Sequence, residues 1–246
     1  MQNELFSILD TVESTNNYAI ENIKQGFGTN GKAWFAKEQW GGKGQRGKSW
    51  VSEAGQNIIL SVVVTPNALF YNFPFFFSAY VANICRHFLA DLNIANTKVK
   101  WPNDLFVNDR KAGGILIENI YAANIWQWAI IGIGINVNQT DFDTNNRKIT
   151  SIRNETNIIY EPLVLSKKLH QALLSSFDYV DKSNFKEGLN LLNQELYRKN
   201  EMVLLLKDNM EFLAKIISVN KYGQIEVEIE DKRLLFDVGE VSMVMS

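Results

Sequence analysis

The chain has 246 residues, 46% of them hydrophobic and 21% charged, with a net charge of −2 and a single cysteine. That length suits one large domain, or a medium domain with a small appendix, of ordinary globular composition. These numbers exclude an internal disulfide and a multi-cysteine metal site, and they set up no global field toward nucleic acid or an anionic membrane. No apolar run reaches the ~18 residues a bilayer span needs. The opening Met1-Gln2-Asn3-Glu4 does not read as a signal peptide, so a cytoplasmic protein is expected. Both histidines, His87 and His170, fall in apolar-periodic stretches, which disfavours histidine triads and zinc sites.

Taken in order, Leu5–Val12 reads as a strand. Ser14 or Thr15 then caps a helix running to about Gln25, and Gly26 is placed to end it. Ala33–Glu38 is a second strand, which feeds a glycine-rich basic loop ending at Trp50. Asn57–Thr65 is β-branched and apolar, hence a buried central strand stopped by Pro66. Phe73–Leu92 is an aromatic-rich helix with Phe76, Tyr80, Ile84 and Phe88 near a spacing of four, a pattern that reads as core packing. Thr97–Lys100 is a short strand stopped by Pro102. Leu105–Val107 and Ala112–Tyr121 form a hairpin about Asn108-Asp109, and Asn124–Val137 pairs back on it. Thr140–Thr150 is a polar loop, and helices are expected over Leu163–Val180 and Phe185–Tyr197. From Met202 the chain turns to five short strands: Met202–Leu206, Phe212–Val219, Gln224–Ile229, Arg233–Phe236 and Val241–Met245. These suggest a small barrel after an α/β domain ending near residue 198. Hairpin connections in the first part argue for a largely antiparallel sheet and against a doubly wound nucleotide fold.

Four places carry candidate chemistry. The stretch Gly41 to Trp50 holds four glycines and the cations Lys43, Arg46 and Lys48. Such a loop can cradle a phosphate or carboxylate with backbone N–H groups, or be a solvated hairpin. Asn103 and Asp104, after Pro102, could meet a sugar hydroxyl, an adenine edge or hydrated Mg²⁺, or simply form a turn. Lys111 precedes Ala112-Gly113-Gly114 and could reach an anion in a cleft or lie solvated on a hairpin. Gly132-x-Gly134-x-Asn136 lies within a strand, where glycine costs stability and signals another group lying on the backbone. Its spacing is not that of a dinucleotide fingerprint. With no nucleophile elbow, cysteine–histidine pair or metal cluster, the chemistry left is nucleotide-dependent activation of a carboxylate by positioning and electrostatics.

The ordered set of motifs resembles the biotin protein ligases. Ser14-Thr15-Asn16 is similar to the family's Ser-Thr-Asn. Gln39 precedes Gly42-Lys43-Gly44-Gln45-Arg46-Gly47, similar to G-R-G-R-R-G, with Trp50 following. Lys100-Trp101-Pro102-Asn103-Asp104 matches K-W-P-N-D. Lys111-Ala112-Gly113-Gly114-Ile115-Leu116 resembles K-x-x-G-I-L, and Gly132-Ile133-Gly134-Ile135-Asn136 resembles G-I-G-I-N. The resemblance implies an α+β fold: a mixed, largely antiparallel sheet flanked by helices, of the class II aminoacyl-tRNA synthetase and biotin ligase kind, over residues 1–198. A small SH3-like β-barrel over 199–246 would follow. It implies ATP-dependent formation of biotinyl-5′-AMP, then transfer of biotin to a lysine of a biotin carboxyl carrier domain of a carboxylase.

By the same resemblance, Ser14, Thr15, Asn16, Gln39 and Gly42 would bind biotin. Lys43, Gly44, Gln45 and Lys111 would hold its carboxylate, with Lys111, Lys43 and Arg46 catalytic. Trp50, Lys100, Asn103, Asp104, Gly132, Gly134 and Asn136 would serve the nucleotide, and Asp104 would reach Mg²⁺ through water. Two positions where the family often has arginine are here Lys43 and Gln45. Lysine keeps the charge without the fork geometry, while Gln45 carries no charge, so looser retention of the adenylate is expected. Nothing ahead of the first strand resembles a helix-turn-helix, so no DNA-binding role is expected. A lipoate–protein ligase or a non-catalytic biotin-binding module are the competing readings. The loop after Gln39 argues against the first, and Lys111 with Lys100–Asp104 against the second.

Overall fold

The computed structural model describes residues 5–142 and 148–245. The middle of the polar loop expected over Thr140–Thr150 therefore lies outside the described residues, as does the opening Met1–Glu4. Strands β1 (Phe6–Val12), β2 (Ala33–Gln39), β3 (Asn57–Val64), β4 (Thr97–Lys100), β5 (Asp104–Val107), β6 (Arg110–Ala122) and β7 (Ile125–Asn136) form one sheet in the order β1-β2-β3-β7-β6-β5-β4. Only β1 and β2 run parallel; the other pairings are antiparallel, as the hairpin connections required. β3 is buried along its whole length.

Two helical layers cover this sheet. The helices are α1 (Thr15–Lys24), α2 (Pro74–Ala90), α3 (Ile152–Thr156), α4 (Pro162–Asp178) and α5 (Glu187–Gln194). The strand period of two sorts the side chains. On β3, Ile58, Leu60, Val62 and Val64 enter the main core with α2 and α4, while Val63 packs with Ala19 of α1, Trp34 and Ile130. On β7, Ile131, Ile133 and Ile135 take the main core, so Gly132 and Gly134 fall on the α1 face with Ser61. Of the two capping candidates for α1, Ser14 is the N-cap, its Oγ accepting from Asn17 N at 3.4 Å. The aromatic stripe of α2 is core: Phe76 and Phe88 are buried in it, and Tyr80 and Ile84 pack against it.

Two expectations are revised. The helix expected over Phe185–Tyr197 ends at Gln194 because the backbone beyond it pairs with β4. Val99 N–H donates to Glu195 O (3.0 Å) and Tyr197 N–H to Val99 O (2.8 Å). The short α3 was not expected; Ser151 caps it by accepting from Asn154 N (3.2 Å), and Asn157 ends it at φ 58°. No helix of the described residues is long and apolar enough to cross a membrane.

The C-terminal strands β8 (Met202–Lys207), β9 (Met210–Val219), β10 (Ile225–Ile229), β11 (Lys232–Phe236) and β12 (Ser242–Met243) form an antiparallel sheet in the order β11-β10-β9-β8-β12. Asp208-Asn209 and Glu230-Asp231 make two-residue turns with φ positive at both positions, the backbone that matches strand twist. The buried face of this sheet, including Val203, Leu205, Ala214 and Ile216, is continuous with the main core. Trp101 Nε1 fastens the two parts by donating to Gly223 O at 2.8 Å.

His170 on α4 is buried and donates a ring proton to Gly31 O at 2.7 Å. Burial lowers its pKa, against the opposing pull of that hydrogen bond. The unfolded chain therefore binds a proton first as pH falls. The stability this residue contributes is complete above the ordinary histidine value of ~6.5 and is lost as pH falls toward the lower folded value. Urea midpoints should fall between pH 7 and pH 5 in the parent and fall less in His170→Phe. Equal pH slopes in the two proteins would show that His170 does not titrate across this range.

Candidate active site

On the α1 face of the large sheet, between the glycine-rich loop and the C-terminal sheet, lies a cavity of about 850 Å³. Every residue proposed for the site from sequence lines it except Gly42 and Asn136.

Its floor is a closed set of hydrogen bonds. Ser61, the lone hydroxyl in an otherwise apolar stretch of β3, sits 2.7 Å from Thr15 Oγ1 and 2.6 Å from Asn16 Oδ1. An amide oxygen only accepts, so Ser61 donates to Asn16 and receives the Thr15 proton. Asn16 Nδ2 donates to Glu118 Oε2 at 2.8 Å, and Thr15 N–H donates to Gln39 Oε1 at 2.9 Å. With Oε1 engaged, the Nε2 protons are what Gln39 can offer a ligand. Gly42, though outside the cavity lining, is needed here: a Cβ would come within 2.3 Å of Trp50 O and 2.5 Å of Gln39 Nε2.

The glycines of β7 do what their position in a strand suggested. A Cβ at Gly132 would lie 2.5 Å from Asn16 Oδ1, and one at Gly134 would lie 2.4 Å from the Trp50 indole. Asn16 and Trp50 thus rest directly on the strand backbone.

Cations gather beside them. Lys111 Nζ is 2.6 Å from Asp104 Oδ1 and 5.7 Å from the Trp50 ring centre. Lys100 lies 5.2 Å over the Phe106 ring. Burial lowers its pKa most; Asp104 opposes that, and Lys111 and Lys48 reinforce it. Mutual repulsion of this kind marks a place where an added anion is welcome. Asn103 Nδ2 donates to Ile115 O at 2.6 Å, holding the Pro102 turn against β6.

Three residues make their hydrogen bonds away from the polar floor and the lysine cluster, two of them from the cavity wall. Arg46, in the left-handed region at φ 57° and ψ 42°, sends its guanidinium to the turn before β12. There Nη1 donates to Val238 O at 3.2 Å and fills the space a Cβ at Gly239 would need. Lys43 Nζ donates to Asn17 Oδ1 at 2.8 Å, at the exposed start of α1. Asn136 is buried beneath the site and donates to Thr150 O at 3.0 Å. Conversely, Lys48 and Ser61 were not assigned to the site from sequence. Their signals were available: a third cation in the loop, and one hydroxyl amid Ile, Leu and Val. The described residues contain no group of three His, Cys, Asp or Glu able to hold a metal.

The model of the biotin/lipoate A/B protein ligase family matches residues 8–136. The chain belongs to that family. This ligase-family chain is 35% identical over 132 residues to the biotin–[acetyl-CoA-carboxylase] ligase of Paracoccus denitrificans, covering 53% of each. It is 34% identical over 134 residues to the bifunctional ligase/repressor BirA of Escherichia coli K12, covering 53% of this chain and 40% of BirA. It thus spans about half the length of the curated relatives it matches. Its fold is that of the Aquifex aeolicus biotin protein ligase solved with biotin and ATP, with a TM-score of 0.80, 22% identity and coverage of 98% and 99% of the two chains.

Proposed function

We propose that this ligase-family chain is an ATP-dependent biotin protein ligase. The observation that carries the reading is the pairing, in one cavity, of a polar floor at Thr15, Asn16 and Gln39 with the Lys48, Lys100 and Lys111 cluster. The floor suits a small ring with matched donors and acceptors, where one lost partner costs roughly 1–3 kcal/mol. The cluster suits a carboxylate meeting a triphosphate. The names of the relatives and the ligands of the Aquifex aeolicus protein point the same way.

In the first step a biotin carboxylate oxygen bonds to the α-phosphorus of ATP, and pyrophosphate leaves with the broken P–O electron pair. Lys111 holds the carboxylate and then the acyl phosphate, Lys100 faces the phosphates, and Trp50 packs on the adenine. Mg²⁺ would arrive on the triphosphate and be met through water by Asp104, where it would neutralise phosphate charge. In the second step the amine of a carrier-domain lysine bonds to the acyl carbon, loses a proton, and AMP leaves. Walls formed by the loop and by the C-terminal residues Leu205 and Val241 keep water from the mixed anhydride. Residues 1–198 would act as the catalytic domain and 199–246 as a smaller β-domain, working in the cytoplasm.

Mixing the chain with ATP and either biotin or lipoate tests this. Pyrophosphate release with biotin alone is expected; release with lipoate alone would identify a lipoate ligase, and none with either a binding module. Gln45 lines the cavity, and the resemblance to G-R-G-R-R-G implies arginine at this position. Gln45→Arg should therefore release biotinyl-5′-AMP more slowly than the parent. An equal or faster off-rate would remove charge at this position from the account.

A further inference from the structure

Lys111 is held from a direction its motif does not show. Beyond Asn136, β7 has ended, and residues 148–150 take its place beside β6. Lys111 N–H donates to Lys148 O (2.8 Å), and Thr150 N–H donates to Lys111 O (2.9 Å). Thr150 is fully buried, with its own carbonyl receiving Asn136 Nδ2 and its hydroxyl donating to Glu155 Oε1.

The Glu155 side chain is 6% exposed. Its carboxylate also receives Arg110 Nη2 at 2.8 Å and Asn108 Nδ2 at 3.0 Å. A charge so nearly buried is stable only when its lone pairs are met, and here three donors meet them. The donors are specific in origin: the residue before Lys111, the β5–β6 turn that leads into it, and the segment hydrogen-bonded to its backbone.

We infer that Glu155, acting through Thr150 and Arg110, is a positioning residue for Lys111. It fixes the backbone from which the ammonium reaches Asp104 and the anion site. The catalytic part of this inference rests on the proposed ligase function; the positioning part does not. Asn136 belongs to the same assembly, which gives the last residue of Gly132-x-Gly134-x-Asn136 a task beneath the site.

The test uses the full chain with Glu155→Gln, Thr150→Val and Thr150→Ser. Glu155→Gln and Thr150→Val should lower the rate constant for pyrophosphate release ~10- to 100-fold, as small displacements of a catalytic group do. The KM for biotin should change less than twofold. Thr150→Ser, which keeps the hydroxyl, should restore the rate. In a Lys111→Ala background the same changes should have no further effect, since residues acting as a unit are not additive. Equal fold-losses in both backgrounds would overturn the inference, as would an unchanged rate in Thr150→Val. Labelling of Lys111 by an amine-directed reagent, followed by mass spectrometry, reads position without activity. It should speed up severalfold in Glu155→Gln, and an unchanged labelling rate would also overturn the inference. If the parent chain releases no pyrophosphate with biotin, the ligase reading fails while the labelling result still decides the positioning.

Discussion

Lys111→Ala should lose about three orders of magnitude in biotin-dependent pyrophosphate release, equivalent to roughly 4 kcal/mol of barrier. Its ammonium is the cation in direct contact with Asp104, and it lies beside the indole that flanks the glycine strip. Within the proposed mechanism it meets charge that grows as the α-phosphorus accepts a fifth oxygen. Of the loop cations, Lys43 is engaged at α1 and Arg46 at the Val238 carbonyl. The fold should survive. The Lys111–Asp104 pair is partly exposed at both ends, and such pairs contribute at most about 1 kcal/mol. A thermal midpoint near that of the parent with pyrophosphate release abolished is the expected pair of results. Near-normal release would remove Lys111 from the reaction.

Gly134→Ala should be the second most damaging change, for a steric reason. An added Cβ would lie 2.4, 2.7 and 2.8 Å from three atoms of the Trp50 ring. A rigid indole cannot yield by a rotamer adjustment at its tip, so it must leave the strand altogether. The backbone at Gly134 is not among the positive-φ glycines, so alanine fits the strand itself and stability should hold. Nucleotide-dependent release of pyrophosphate should fall ~10- to 100-fold through misplacement of the ring. Trp50 emission, isolated by difference against Trp50→Phe, should shift to the red. Parent-like emission together with parent-like kinetics would mean that the indole has another resting place.

How legible was this in the sequence? The sheet's direction followed from short hairpin connections, and the buried run of β3 from its β-branched residues. The glycines of β7 announced a close approach without naming the partner. The partners, Asn16 and Trp50, come from segments 80 to 120 residues earlier, and no local pattern encodes that meeting. The position of Arg46 was illegible for the same reason. Nothing near it in sequence reveals a carbonyl 192 residues downstream. A strand's alternation puts Asn136 on the glycine face, and the end of β7 lets residue 150 come underneath to take its amide proton, which no local pattern shows. The early end of α5 was set by pairing with β4, a tertiary preference that overrode the helical period. Lys48 is legible as a loop cation and Ser61 as one hydroxyl amid apolar residues, but only the fold shows that they meet Lys100 and Asn16.

The reach of Arg46 to Val238 and the bare Gly239 has a wider meaning. The loop that would hold the anion in the proposed reaction is tied through Arg46 to the turn before β12, so movement of one should be felt by the other. A cut after β11 would not just shorten the molecule; it would cast the loop adrift. A reporter dye at Glu240 would register the arrival of ligand at a distance from where ligand sits.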